Sequence, residues 1–275
     1  MTKGWSTFKF LRVLVLLFIL FIVAVDSWLD SARSTDWNDT LNVVVVPINP
    51  EKSDPVADYI LSFDNDAFKP IEDFFDREAS RYLPLDKSAF KLILGNELHQ
   101  EPPNFTPNEN KKAQWFDAVV WSLKTRYWVY KAKKNYNHLY PDIMLFVNYY
   151  DPAKHRRVRH SLGLEKGLYS IVYAFGNKGD KKGNHIVIAH ELLHTLGASD
   201  KYALNSNQPL YPIGYANRDK RPLYPQKKAE LMAGRIPVSE GKATMPDSLV
   251  DVLIGPETAM EINWINPGSI SLLSN

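Results

Sequence analysis

The stretch GNHIVIAHELLHTLGASDKY, residues 183–202, holds the side chains whose types and spacing could do chemistry. Gly183-Asn184 offers a helix start, and Ile186, Val187, Ala189, Leu192, Leu193 and Leu196 make the following segment largely apolar, as expected of a helix crossing a core. His190 and His194 are four apart, which on a helix turns both imidazoles towards one point. Neutral imidazole is a zinc ligand. Glu191 lies about 100° further round the helix, beside such a metal, where it can take a proton from a water that the metal polarises, the part of a general base in peptide hydrolysis. Gly197, three beyond His194, can adopt the left-handed conformation that ends a helix and turns the chain back. Asp200, three further on, is then placed to offer a carboxylate oxygen to the same metal. HExxH alone fixes three letters and arises by chance; HExxHxxGxxD fixes five and is far more specific.

HELLHTLGASD resembles the zinc-binding signature of the metzincins, HExxHxxGxxH, with Asp in the last position as in snapalysin-type peptidases. The resemblance is strongest over residues 140–235. It implies a zinc endopeptidase with His190, His194 and Asp200 as metal ligands and Glu191 as base. It also implies a methionine on a tight turn beneath the metal, for which Met232 in AELMAGRIP is the first candidate and Met245 in ATMPD the second. The strand before the active helix, here GLYSIVYAF (167–175), is implied to line the cleft as a sheet edge on which an extended peptide substrate could pair. Two departures stand out. Asp200 replaces the third His, and no Tyr closely follows Met232, so the family pattern names no switching tyrosine. Two neutral His and one carboxylate leave a zinc site a formal charge of about +1, so its water is acidified less and Glu191 matters at least as much.

Other readings compete. A gluzincin would take its third ligand from a later helix, with Glu257, Glu261 or Glu230 as candidates; Asp200 fits better because Gly197 supplies the turn it needs. A buried helix with structural His is disfavoured, because a Glu beside His in an apolar helix is costly to bury without a partner such as a metal. The non-enzymatic alternative is a membrane-tethered binding module. His99, His138, His155, His160 and His185 are expected at the surface or in loops.

The elements that must position this set can be read from the rest of the 275 residues, of which 45% are hydrophobic and none is Cys, so a disulfide framework and thiolate metal sites are excluded. LNVVVVPI (41–48), FKLILGNEL (90–98), DIMLFVNYY (142–150) and GLYSIVYAF read as strands. Helices are predicted from Asp54 to about Phe63, from Ala67 to Tyr82 and from Lys111 to Lys134. Alternating strands and helices indicate an α/β layered domain with a mainly parallel sheet over residues 41–197, and the resemblance implies that this sheet is metzincin-like and mixed. From Tyr202 onward prolines recur every dozen residues or so, which predicts an irregular lobe over 198–275, with helix only at DSLVDVL (247–253) and ETAMEINWI (257–265).

At the other end, Lys3, Lys9 and Arg12 precede the apolar run Val13–Val25, and Asp26 and Asp30 follow it. This order keeps the N-terminus cytoplasmic and sends the rest across the membrane. Residues 1–29 therefore read as an uncleaved signal-anchor, or a signal peptide if cleaved, with 30–40 as a polar linker and the catalytic domain extracytoplasmic. The formal charge of +2 hides a division: residues 26–109 carry seven Lys+Arg and seventeen Asp+Glu (net −10), and residues 111–160 carry eleven and three (net +8). The basic stretch Lys154–His160 lacks aromatic interleaving or any nucleic-acid motif, so no nucleic-acid partner is expected. With its flanks, DPAKHRRVRHSLGLEKG (151–167), it reads as a solvated basic loop near the cleft.

Overall fold

The β-branched run LNVVVVPI becomes β1 (Leu41–Ile48), nearly all of it buried. A strand covered on both faces reads as a continuous apolar run, and β1 lies inside a five-stranded sheet. The order is β2 (Phe90–Leu94), β1, β3 (Ile143–Tyr150), β5 (Tyr169–Phe175), β4 (Leu162–Leu164). β2, β1, β3 and β5 run parallel, and β4 pairs antiparallel with β5 at the edge. The computed structural model describes residues 12–15, 17–18, 35–84, 86–105, 111–159, 161–164 and 167–265.

Successive side chains of β1 point to opposite faces and so enter two cores. Val43 and Val45 join the larger one, with α1 (Asp54–Leu61), α2 (Lys69–Ala79), α4 (Lys181–Thr195) and parts of the C-terminal lobe. Val44, Val46 and Ile48 join the smaller one, covered by α3 (Lys111–Lys133) through Trp128, Val129 and Ala132 and by Tyr136 of the 3-10 turn that follows. The expected mixed α/β architecture with a parallel sheet is therefore present.

The details differ in three places. GLYSIVYAF is not the edge: β4, within the stretch read as a basic loop, covers its outer side. The helix expected at 247–253 is one 3-10 turn, Leu249–Asp251, capped by Ser248 Oγ on the Val250 amide, after which Val252 pairs with Ala229. The last helix, α5, is short (Pro256–Glu261). Of the expected anchor (1–29), residues 12–15 and 17–18 are helical and exposed; the rest of it, and linker residues 30–34, lie outside the described residues. Among the described residues no helix is long and apolar enough to cross a membrane.

Beyond Ala198 the chain forms the irregular lobe that its prolines predict, as two-residue to four-residue strand pairs: β6 (Tyr202–Ala203) with β7 (Gln208–Pro209), β8 (Ala229–Glu230) with β11 (Val252–Leu253), and β9 (Ile236–Ser239) with β10 (Lys242–Thr244). Buried Glu78 on α2 ties this lobe down by accepting the Ile254 amide (3.0 Å) while it pairs with Arg77 and Arg81. The ends of the fold also meet: Trp37 Nε1 donates to Ile262 O (2.8 Å), and its ring packs edge-on against Trp264 and Phe90.

Candidate metal centre

Helix α4 begins at Lys181, two residues before Gly183, and Asn184 Nδ2 donates to Phe175 O (2.8 Å), which joins its first turn to the end of β5. Ile188, Ala189, Leu192 and Leu193 face the core and are fully buried. The other side presents His190 and His194, whose side chains stay 14% and 18% exposed, enough for a small molecule to reach them. The helix ends as Gly197 predicts. With φ at 95°, Gly197 donates to His194 O (3.2 Å), and the Ala198 amide reaches back to Leu193 O (3.1 Å). This is the paired Schellman arrangement, and it turns the chain so that Asp200 returns over the two His.

The ring hydrogens of both imidazoles are committed to backbone carbonyls. His190 Nδ1 lies 3.0 Å from Leu231 O and His194 Nδ1 2.7 Å from Ala198 O. In a neutral ring the other nitrogen then carries only a lone pair. The two Nε2 atoms are 3.0 Å apart, and each is 3.2 Å from Asp200 Oδ1. Three electron-pair donors therefore converge with no proton between them, and Asp200 Oδ1 is buried without a hydrogen-bond donor. Such a cluster is repulsive unless a cation sits among its atoms. Separations of this size suit a metal bound at about 2.0–2.1 Å by two His and one carboxylate, a donor set that zinc accepts.

The titration behaviour has the same cause. Burial acts to lower the His190 pKa, but the Asp200 carboxylate, the Glu191 charge and the Leu231 carbonyl outweigh it and raise the ring. Burial acts to raise the Asp200 carboxyl, yet the His190 and His194 rings hold it well below the usual carboxylate range. The centre thus attracts positive charge, whether proton or metal. Glu191 is buried beside it, with one potential ligand atom from each of His190, Glu191 and His194 lying within 4.8 Å of the others.

Met232 is fully buried in the 3-10 turn Leu231–Ala233, which Gly234 closes with φ at 68°. That turn holds two parts of the site: Leu231 O orients His190, and Met232 O accepts the amide of Lys201, next to Asp200 (2.9 Å). Met245 instead is 55% exposed and lines the neighbouring cavity.

The gluzincin candidates are engaged elsewhere. Glu230 is buried and accepts hydrogen bonds from the Ala233 and Gly255 amides and Thr258 Oγ1. Glu257 pairs with Arg218. Glu261 accepts from the Ser199 amide (3.0 Å) and hydroxyl (2.6 Å) and from the buried Lys201 ammonium (2.6 Å), so it fixes both neighbours of Asp200 without approaching the His pair. Among the other histidines, His99 and His138 are exposed and His155 contacts Glu51. His160 lies outside the described residues. His185 departs from expectation: it is buried in α4, its pKa pushed down to about 4 by burial and then by Lys181.

Sequence reasoning missed Tyr202. On extended backbone, residues two apart share a face, so a Tyr two beyond the candidate ligand Asp200 was the available signal. Burial, then the nearby Asp200 charge, push the pKa of its hydroxyl up to about 12. Tyr202, His190 and Glu191 border a cavity of about 310 Å3 whose walls include Tyr173, Val187, Leu231 and Arg235. No protein-family profile matches the sequence, and no curated protein is significantly similar to it.

Proposed function

We propose that the chain is a zinc-dependent endopeptidase of the metzincin type, with His190, His194 and Asp200 as ligands. The convergence of two imidazole Nε2 atoms and one carboxylate oxygen within 3.0–3.2 Å, with both Nδ1 atoms turned to carbonyls, carries this reading. A zinc ion bound by these atoms supplies a Lewis acid for the scissile carbonyl and lowers the pKa of water. Glu191 takes the proton of the attacking water and passes it to the leaving amine. Tyr202, still protonated near neutrality, offers a hydrogen bond to charge that develops on the carbonyl oxygen. The outer edge of β4, last in the sheet order, gives an extended substrate backbone groups to pair with. Residues 1–29 would hold this domain on the extracytoplasmic side of a membrane.

The test combines metal analysis with cleavage of a peptide library by the full chain. One zinc per chain, lost in Asp200→Ala and kept in Glu257→Ala, together with chelator-sensitive cleavage, is the expected outcome. Loss of zinc in Glu257→Ala with retention in Asp200→Ala points to the gluzincin arrangement. Absence of stoichiometric zinc in every preparation leaves a binding module.

A further inference from the structure

Helix α3 is apolar on two opposite sides. One side carries Thr125, Trp128, Val129 and Ala132, buried against the sheet. At about 100° per residue, Val119, Leu123, Tyr127 and Tyr130 fall in a strip roughly 80° wide, centred opposite that buried side and about 17 Å long. They are 47%, 63%, 62% and 59% exposed, so the rest of the described fold leaves the strip uncovered. Cations border it on both flanks: Lys124 and Lys131 on one, Arg126 and Lys133 on the other, all exposed. Lys131 Nζ leans over the Tyr127 ring at 5.5 Å and Lys134 Nζ over Tyr130 at 4.5 Å, which keeps their charges beside the strip. Asp117 is the one acid between 116 and 134.

We propose that this face of α3 lies on an anionic lipid surface. An apolar strip with Lys and Arg along both borders and tyrosines among its apolar residues is the pattern of a helix seated in the plane of a membrane interface. A second copy of the chain fits poorly, because pairing two such helices in either direction sets positive borders against positive borders. The fold adds a larger field to the local one. The acidic helices α1 and α2 cover one face of the sheet and basic α3 the other, so the charges of these three helices are separated across the sheet with α3 on the positive side. The tether brings the surface within reach. Trp37 is anchored in the fold, and the eight residues from Leu29 to it span at most about 28 Å. A domain held that close to a bilayer by residues 1–29 meets lipid at high effective concentration.

The chain has no Cys, so Leu123→Cys, labelled with a polarity-sensitive nitrobenzoxadiazole dye, reports on the strip alone. Leu204→Cys, at an 82% exposed position in the other lobe, is the control. The labelled full chain is assembled from detergent into single-chain nanodiscs of phosphatidylcholine, with or without phosphatidylglycerol. In anionic discs the dye at 123 should shift to the blue and be quenched by acrylamide several-fold less than the dye at 204, and salt should reverse this. Lys124→Gln with Lys131→Gln should weaken docking on the order of fivefold per charge, so protection ends at lower salt. Chains that join only the anionic discs, with position 123 protected, also support the proposal and show that residues 1–29 are not the anchor. Equal quenching at 123 and 204 in every disc overturns it. So does salt-independent protection in phosphatidylcholine alone, which means that the chain itself covers the strip, or failure to join either disc.

Discussion

At the centre, the 3.0 Å contact between the two Nε2 atoms is tolerable only with positive charge nearby, and the fold fixes it there by spending both Nδ1 hydrogens on carbonyls. Glu191 does not have to hold the metal for this geometry to persist. Glu191→Gln should therefore keep its zinc and lose roughly 10²–10⁴-fold in turnover; normal turnover in that variant rules out the base role. Four of these residues were legible in the sequence because helical spacing and one glycine turn dictate where they point. His185 was not, since its burial depends on Phe68 and Ala67, distant in the chain. Its lowered pKa has a consequence with a definite sign. Between about pH 6.5 and pH 4 the unfolded chain binds a proton that the folded chain refuses, so stability present above the unfolded pKa is lost as pH falls. The loss approaches about 3 kcal/mol across that window. Urea midpoints at pH 7 and pH 5 should diverge less in His185→Phe than in the parent, and an unchanged difference removes His185 as the cause.

The elements obeyed local rules where both faces of a strand are buried and failed them where a partner decides. β1, β3 and β5 announce themselves as β-branched and aromatic runs. β4 is three residues within a basic stretch, and only its antiparallel pairing with β5 makes it a strand. Likewise, 247–253 carries a helix-like apolar spacing, but pairing of Val252 with Ala229 claims it. The turn between α4 and Asp200 follows the simpler logic of one backbone angle. At φ of 95°, a side chain on Gly197 meets the left-handed penalty, about 1–2 kcal/mol. Gly197→Ala should lower stability by that amount and, by shifting Asp200, weaken zinc affinity as well. Unchanged zinc affinity would show that Asp200 finds its place without the turn. Glu261→Ala strikes the same loop from the other side. It leaves the Lys201 ammonium, 1% exposed, without its carboxylate, which costs on the order of 3–5 kcal/mol. Reduced zinc binding in that variant therefore reports on the loop and not on a ligand, which makes Glu257→Ala the cleaner control.

On the scale of the whole molecule, the proposed metal joins two parts of different character. His190 and His194 come from the layered α/β part, Asp200 and the Leu231 carbonyl from the proline-rich lobe; the shared apolar core, the Trp37–Ile262 bond and the hydrogen bonds of Arg77, Glu78, Arg81 and Tyr82 to residues 249–254 are further ties across the fold. Short strand pairs of two to four residues are weak on their own, so the lobe depends on these ties for its order. Zinc at about 1,000 times its dissociation constant adds roughly 4 kcal/mol to the folded state. For a domain of this size each kcal/mol moves the midpoint by about 2–4 °C. Chelation should then lower Tm by about 8–16 °C in the parent and in Glu191→Gln, and should leave Asp200→Ala, already depleted of metal, nearly unmoved. Because the proposed ligands belong to both lobes, the parent should unfold in one transition with zinc and broaden or split without it, the C-terminal lobe loosening first. Amide exchange in chelator would show this as lost protection over 198–265 before any loss in β1 or β3. A zinc-independent midpoint in the parent, or protection lost from the sheet first, contradicts a metal that bridges the lobes.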